Sequence, residues 1–370
     1  MRAPWATWIT RFVLAGACAL LGGAAGDACT GIRLRTNDGA IIYARTMEYG
    51  IQLDSDIAII PRGRAYTGTA PGGPGLAWKN RYGIVGANAW GLDQVVDGMN
   101  ERGLAGGLFY HPGYAEYPPV LKKDLGRTIA SWELVTWALG NFSTVSEVKA
   151  GLDQVIVGNA AQPKIGFAPP LHAIFHDAEG NCLVVEFAGG KVQTYDNPLG
   201  VITNAPTFDW HLTNLRNFVN LSPVNVTTAK IEGVDVSQLG QGSGMRGLPG
   251  DFTPPSRFVR AVAFVNAATP VDTAAEGINL AHHILSSFDI FPGLVRGTGD
   301  ASKYPEITQW ATFADLKNKA YFFRSYRDPT IRKVDLSGVK FDADKVLVVP
   351  MHTDQPAYQD VTNRSRILAR

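Results

Sequence analysis

An Asp-Gly pair between two alternating apolar runs does most to fix how this chain can fold. Thr30 to Thr36 (TGIRLRT) and Ala40 to Thr46 (AIIYART) flank Asn37-Asp38-Gly39. Asp-Gly tolerates the positive-φ backbone that a tight two-residue turn needs, so the runs read as an antiparallel hairpin. Such a turn pairs Asn37 with Ala40. Counting outward, it sets Cys29 directly opposite Glu48. Partners of this kind hold their Cβ atoms about 4.5–5.5 Å apart on one face, which places a carboxylate beside a thiol where the sheet begins.

The runs that follow are blocks rather than alternating βαβ units. DIAIIPRG, YGIVGANAW and GLAGGLFY continue the strand pattern. A helix is predicted over Leu125 to Leu139 from Ile129, Trp132 and Val135. A second opens on a capping box of Thr144 and Glu147. Leu171 to Asp196 reads as three strands joined by two turns. Helices are predicted over DWHLTNLRNFV, after Pro254-Pro255, and through GINLAHHILSSF, before strands return in TQWATFADLKNKAYFFRSY. This order implies a layered α+β domain. No repeat or linker divides it, so 29–370 is expected to be one domain.

The first residues read as a leader. Arg2 and Arg11 give a basic start, Phe12 to Leu21 is apolar and too short to span a bilayer, and Gly22 to Ala28 is rich in small residues. Cleavage after Ala28 makes Cys29 the first residue. A cut after Ala25 followed by trimming gives the same end. Lipid attachment is less favoured, because neither Cys18 nor Cys29 follows a leucine-led attachment box. The expected location is therefore periplasmic or extracellular, with no membrane contact once the leader is gone. A net charge of +1 without basic runs offers nothing to nucleic acid. Of the three cysteines, Cys18 leaves with the leader. Cys182, in the apolar run GNCLVVEF, reads as a small buried side chain. Cys29 is left as a free thiol in an exported protein.

A nucleophile needs a base. An N-terminal cysteine brings its own, since an α-amine titrates at about 7.7–8.0 and a thiol at about 8.5. Such a residue can attack an amide carbonyl without a catalytic histidine. Other motifs are weak. GSGMRG matches a dinucleotide fingerprint by letters, but LPGD follows it where a helix is required. The histidines show no metal-binding spacing, and neither a G-x-S-x-G elbow nor a papain-like cysteine motif is present. No metal or organic cofactor is expected.

Four blocks, CTGIRLRTNDG with ARTMEYG, DGMNERGLAGGLFYHPGYA, TNAPTFDWHLTNLRNF and GLPGDFTPPSRFVRA, together resemble the choloylglycine hydrolase family. That group contains the bile salt hydrolases and penicillin V acylases and is also classed as linear amide C-N hydrolases. The resemblance covers essentially all of the chain after the leader. It implies a four-layer αββα sandwich of the N-terminal nucleophile hydrolase type. It also implies that Cys29 is the nucleophile with its α-amine as base, and that Arg45 and Arg257 are the arginines of the site. Asn204 and the backbone N–H at Tyr110 would be the oxyanion donors. Tyr110 stands where penicillin V acylases carry tyrosine and bile salt hydrolases usually carry asparagine. Glu48 stands where the family usually has aspartate contacting the α-amine. Arg45 and Glu48 are three apart and face opposite sides of a regular strand, so a bend or bulge near Thr46 is expected to bring both into one site.

The expected activity is hydrolysis of a non-peptide acyl amide: a conjugated bile salt, penicillin V or an N-acyl homoserine lactone. Met47, Tyr49 and the loop around Ile59 are expected to wall an apolar acyl pocket by their nearness to Cys29. The segment between NLRNF and GSGMRG is about as long as the inter-subunit loop of tetrameric relatives, which suggests a homotetramer. Two other classes stay open. An exported binding protein on the same scaffold would keep peptide upstream of Cys29, and a conventional cysteine protease would need a histidine within reach of the thiol.

Overall fold

The computed structural model describes residues 28–353, 356 and 358–359. The expected leader, apart from Ala28, lies outside the described residues. The early strands are β1 (Thr30–Arg35), β2 (Ile41–Tyr49), β3 (Ile57–Ile60), β4 (Ala65–Ala70), β5 (Gly73–Lys79), β6 (Ile84–Asn88), β7 (Val95–Asn100) and β8 (Ala105–Tyr110). The middle of the chain adds β9 (Thr128–Ala130), β10 (Ile156–Gly158), β11 (Leu171–His176), β12 (Cys182–Ala188), β13 (Lys191–Asp196), β14 (Ala229–Ile231) and β15 (Val234–Val236). The last are β16 (Ile307–Asp315), β17 (Ala320–Ser325), β18 (Arg332–Asp335) and β19 (Leu347–Val349). The helices are α1 (Leu134–Asn141), α2 (Val145–Gly151), α3 (Phe208–Leu215), α4 (Pro254–Ala267) and α5 (Ala274–Ser286).

Two antiparallel sheets stack face to face. One is ordered β1-β2-β16-β17-β18, the other β13-β12-β11-β8-β7-β6-β3-β19. Odd-numbered residues of β2 point between the sheets, where Tyr43 and Met47 join Phe109, Ile174 and Trp310 in one core. Even-numbered residues point to α4 and α5, which add Phe258, Ile278 and Leu285 to that core. A second core joins the far face of the eight-stranded sheet (Leu108, Phe175, Val185) to α1 and α2 through Val135, Leu139 and Val148. The layers are therefore α, β, β, α, the sandwich that the resemblance implied. No helix among the described residues is long and apolar enough to cross a membrane.

A polar tie crosses the apolar gap. Asp97 on β7 accepts hydrogen bonds at Oδ2 from Tyr43 (2.8 Å) and at Oδ1 from Tyr321 (2.6 Å) and Thr312 (2.8 Å), all three on the five-stranded sheet. The carboxyl is fully buried, and burial raises its pKa although these donors and Arg45 oppose the shift.

Three sequence expectations need correction. The first hairpin closes with three loop residues, not two. Thr36 bonds Ala40, and Gly39 takes the left-handed conformation at φ 81°. The register moves by one, so Thr30 faces Thr46 and Gly31 faces Arg45. Cys29 falls on the Arg45 and Met47 side, and Glu48 on the other. Nor does β2 bulge near Thr46. The irregularity lies in its partner β16, between Thr308 and Trp310. Finally, the helix expected from Leu125 begins only at Leu134. Thr128 to Ala130 pair instead with Ile156 to Gly158, and Glu133 holds the turn by accepting from Ala130 N (2.7 Å) and Thr69 N (2.9 Å).

Candidate active site

Cys29 immediately precedes β1 at the edge of the five-stranded sheet and is 3% exposed. The two faces of that strand meet it with different groups. On the inter-sheet face its Sγ lies 3.8 Å from Met47 Sδ and 3.7 Å from Glu48 O. Arg45 lies on this face as well. It donates to Leu108 O (2.7 Å) and Thr46 O (3.1 Å), and its guanidinium sits 4.2 Å above the Phe109 ring. On the helix face, Arg257 of α4 reaches the main chain of the same residue. Its Nη1 donates to Cys29 O (2.5 Å) and Thr30 Oγ1 (3.0 Å), its Nη2 to Asn204 Oδ1 (2.7 Å) and its Nε to Phe252 O (2.9 Å). Thiol and backbone leave residue 29 in different directions, so Arg45 and Glu48 need no bulge to serve one site.

Asn204 is fixed at both ends of its amide. Arg257 holds Oδ1, and Nδ2 donates to Tyr110 O (2.7 Å). The oxygen contact settles which way the amide points. Asn204 also links the two sheets, since Arg257 ties it to the start of β1 and Tyr110 ends β8. Glu48 is held by Thr46 Oγ1 (2.9 Å) and Thr308 Oγ1 (2.8 Å), and Thr46 Oγ1 in turn accepts from Thr30 N (3.3 Å). Burial pushes the Glu48 carboxyl up to about 8, against Thr308, Arg257 and Thr46, which favour the charged form. Burial also raises the Cys29 thiol, and the nearby Arg45 charge only partly offsets it.

The thiol opens on an apolar pocket continuous with solvent. Met47, Tyr49, Leu53, Trp90, Trp132 and Ile165 are among its walls. Trp90 is held at φ 53°, a left-handed conformation that is unusual for so bulky a residue. Hydrogen bonds from its N to Leu53 O (2.6 Å) and its Nε1 to Gln52 O (3.1 Å) keep it there. Met47 and Tyr49 stand where nearness to Cys29 put them. Ile59 does not. It lies within β3, paired to Val85 on β6 and Leu347 on β19, away from the pocket walls.

Behind Asn204 lies a group that the sequence did not reveal: His111, His172, His211 and Glu186. They are far apart in the chain, so no spacing pattern joins them. His111, His172 and Glu186 cluster closely enough to suggest metal ligands. The ring geometry argues against that use. The two imidazoles stack with centroids 4.2 Å apart and planes 1° from parallel. A metal ion lies close to the plane of each imidazole that ligates it, and two parallel planes share no such point.

A buried thiol thus lies beside the Arg45 charge, and the Asn204 amide is fixed between the two stacked sheets. This chain belongs to the linear amide C-N hydrolases of the choloylglycine hydrolase family, whose family model matches residues 29–349. It is 32% identical over 324 residues to a bile salt hydrolase/transferase of Clostridium perfringens, covering 86% of this chain and 95% of that one. A variant of conjugated bile acid hydrolase from Clostridium perfringens superposes with TM-score 0.79 at 28% identity, covering 90% of this chain and 100% of the other. Penicillin V acylase from Agrobacterium tumefaciens superposes with TM-score 0.71 at 25% identity, covering 88% and 93%. The protein is thus an enzyme that hydrolyses C–N bonds of linear amides.

Proposed function

We propose that this enzyme is an exported acyl-amide hydrolase working through a thioester on Cys29, with the Cys29 α-amine as base. Removal of Met1 to Ala28 would free that amine and leave one catalytic domain. The observation that carries the reading is the position of residue 29. Its sulfur faces an apolar pocket while Arg257 ties its carbonyl to the amide of Asn204. Burial keeps the resting thiol protonated, so a base at hand is needed.

In the first half-reaction the amine takes the thiol proton, and sulfur adds to the substrate carbonyl carbon. Asn204 and the main-chain N–H of Tyr110 receive the oxyanion. The α-ammonium returns the proton to the leaving nitrogen as the C–N bond breaks. Water, deprotonated by the same amine, then adds to the thioester; the carboxylic acid departs and the thiol is restored. Arg45 steadies the thiolate. Glu48 keeps its charge once an ammonium stands nearby. The apolar walls suit an uncharged acyl group, with Met47 and Tyr49 in contact with it. Conjugated bile salts, penicillin V and N-acyl homoserine lactones are the candidate amides.

The hairpin of β14 and β15 supports self-assembly as a homotetramer. Ile231, Val234 and Val236 on it are each at least half exposed, a patch that a second copy would cover. The test of function is product release by the protein beginning at Cys29, offered glycocholate, taurocholate, penicillin V and an acyl lactone, with Cys29→Ser alongside. Release that persists in C29S, or in material whose first residue is not Cys29, overturns the proposal.

A further inference from the structure

Three buried imidazoles hold the backbone around Asn204. Nε2 of His172 lies 3.1 Å from Thr203 O, Nε2 of His211 lies 3.1 Å from Asn204 O, and Nε2 of His111 lies 3.3 Å from Pro206 O. A carbonyl oxygen only accepts, so each Nε2 carries a proton. The rings come from three places: just past β8, within β11 and on α3. Each is at most 2% exposed. Burial lowers their pKa values to about 3 for His111 and His172 and about 4 for His211, which keeps the rings neutral donors. Glu186 Oε1, which accepts from Phe208 N (3.0 Å), lies 3.3 Å from Nδ1 of His172; with the ring proton on Nε2 this contact is a hydrogen bond when the Glu186 carboxyl is protonated, a form that burial favours by pushing it up to about 7.

We propose that His172 and His211 are positioning residues for amide hydrolysis. By donating to the carbonyls of residues 203 and 204 they hold the main chain that presents the Asn204 amide to the carbonyl under attack. This rests on the reading of Asn204 as an oxyanion donor. Arg257 orients that side chain from its end, and the histidines fix the backbone from which it springs. Packing alone would put other demands on these positions. A buried space-filling residue needs no donor aimed at a carbonyl, let alone three aimed at carbonyls within four residues.

His211 allows the two roles to be separated. Its ring stacks on Phe258 with centroids 4.7 Å apart and planes 15° apart. His211→Phe therefore keeps an aromatic face and removes the donor, whereas His211→Gln keeps a donor and loses the ring. With the candidate amide that the wild type releases fastest, H211F is expected to lower kcat about ten- to a hundredfold, since small misplacement of a catalytic group has effects of that size. KM should stay within about twofold, and alkylation of Cys29 by iodoacetamide should keep its wild-type rate. H211Q should recover most of kcat. Wild-type kcat in H211F, or an equal loss in H211Q and H211F, overturns the proposal. If H211F does not fold, side-chain ¹⁵N spectra of the wild type decide: protonated Nε2 on His172 and His211 supports the proposal, and an Nδ1–H tautomer on either refutes it. Asn204→Ala, assayed in parallel, separates the two levels. Full activity in N204A removes the oxyanion reading itself, while a large loss in N204A with none in H211F removes only the role of the histidines.

Discussion

Arg257→Met tests whether the proposed nucleophile, Cys29, and the proposed oxyanion donor, Asn204, are coupled through one side chain. Methionine keeps a long side chain in a fully buried slot and removes every donor. Four acceptors lose their partner: Phe252 O, Cys29 O, Thr30 Oγ1 and Asn204 Oδ1. Hydrogen bonds to a charged group contribute about 1.5–3 kcal/mol each, a gross loss of about 6–12 kcal/mol. Against this stands relief from burying a guanidinium, several kcal/mol in its own right. The two largely cancel, and the fold should lose about 2–4 kcal/mol. Catalysis has no such offset. Without the Nη2 contact the Asn204 amide can turn away, and kcat should fall by about 10²–10³ as when an oxyanion donor is removed. The assay is steady-state turnover with a thermal melt and the rate of Cys29 alkylation. Alkylation should change little, because Arg45 acts on the thiol more strongly than Arg257 does. A folded R257M with kcat within about threefold of wild type would refute the reasoning.

Other outcomes follow from the same geometry. Cys29→Ser should fold normally and lose at least about a thousandfold in kcat, measured by product release, because the hydroxyl is a far weaker nucleophile at this pH. Glu48→Gln should change how stability depends on pH in a chain whose Cys29 is still peptide-linked. There the folded carboxyl titrates near 8 and the unfolded one near 4.5, so stability is full below about 4.5 and declines as pH rises to about 8. Urea midpoints between pH 5 and 8.5 should fall by the equivalent of a few kcal/mol in the parent and stay flatter in E48Q. Gly31→Ala should destabilise by about 1–3 kcal/mol in a thermal or urea melt. Its Cβ would come within 2.8 Å of Ile202 Cγ2 and 2.9 Å of Phe109 Cζ, inside the tightly packed seam next to Cys29.

Local chemistry was legible in the chain; distances between segments were not. The capping box of Thr144 and Glu147 forms as the sequence suggests, with Glu147 N donating to Thr144 Oγ1 at 3.2 Å. The Asp-Gly signal found the first hairpin. It could not count the loop, because a turn of two or three residues can use the same letters, and one residue of difference moves Glu48 to the other face. The helix predicted from Leu125 failed where tertiary pairing overrode the helical spacing of Ile129. Met47 and Tyr49 were found because they lie on the strand beside Cys29. Trp90, Trp132 and Ile165 reach the pocket from distant segments that no local pattern connects to it. Two of the three histidines were invisible for the same reason, since His111 and His172 bond backbone atoms far away in sequence, while His211 reaches back only to Asn204 O across a turn that no motif marks.

The Asp97 tie has a consequence for how this enzyme can be tuned. Sulfur belongs to one sheet and Tyr110 to the other, and the apolar gap between them, being non-directional, would tolerate lateral slip. The carboxylate acts as a rivet against that slip, gripping two phenols and a hydroxyl of the opposite layer. On the proposed mechanism, the reach from attacking atom to receiving dipole is thus set partly by a side chain that touches neither. Substitutions at the rivet would shift one half of the machinery against the other while leaving every residue of the cleft unaltered.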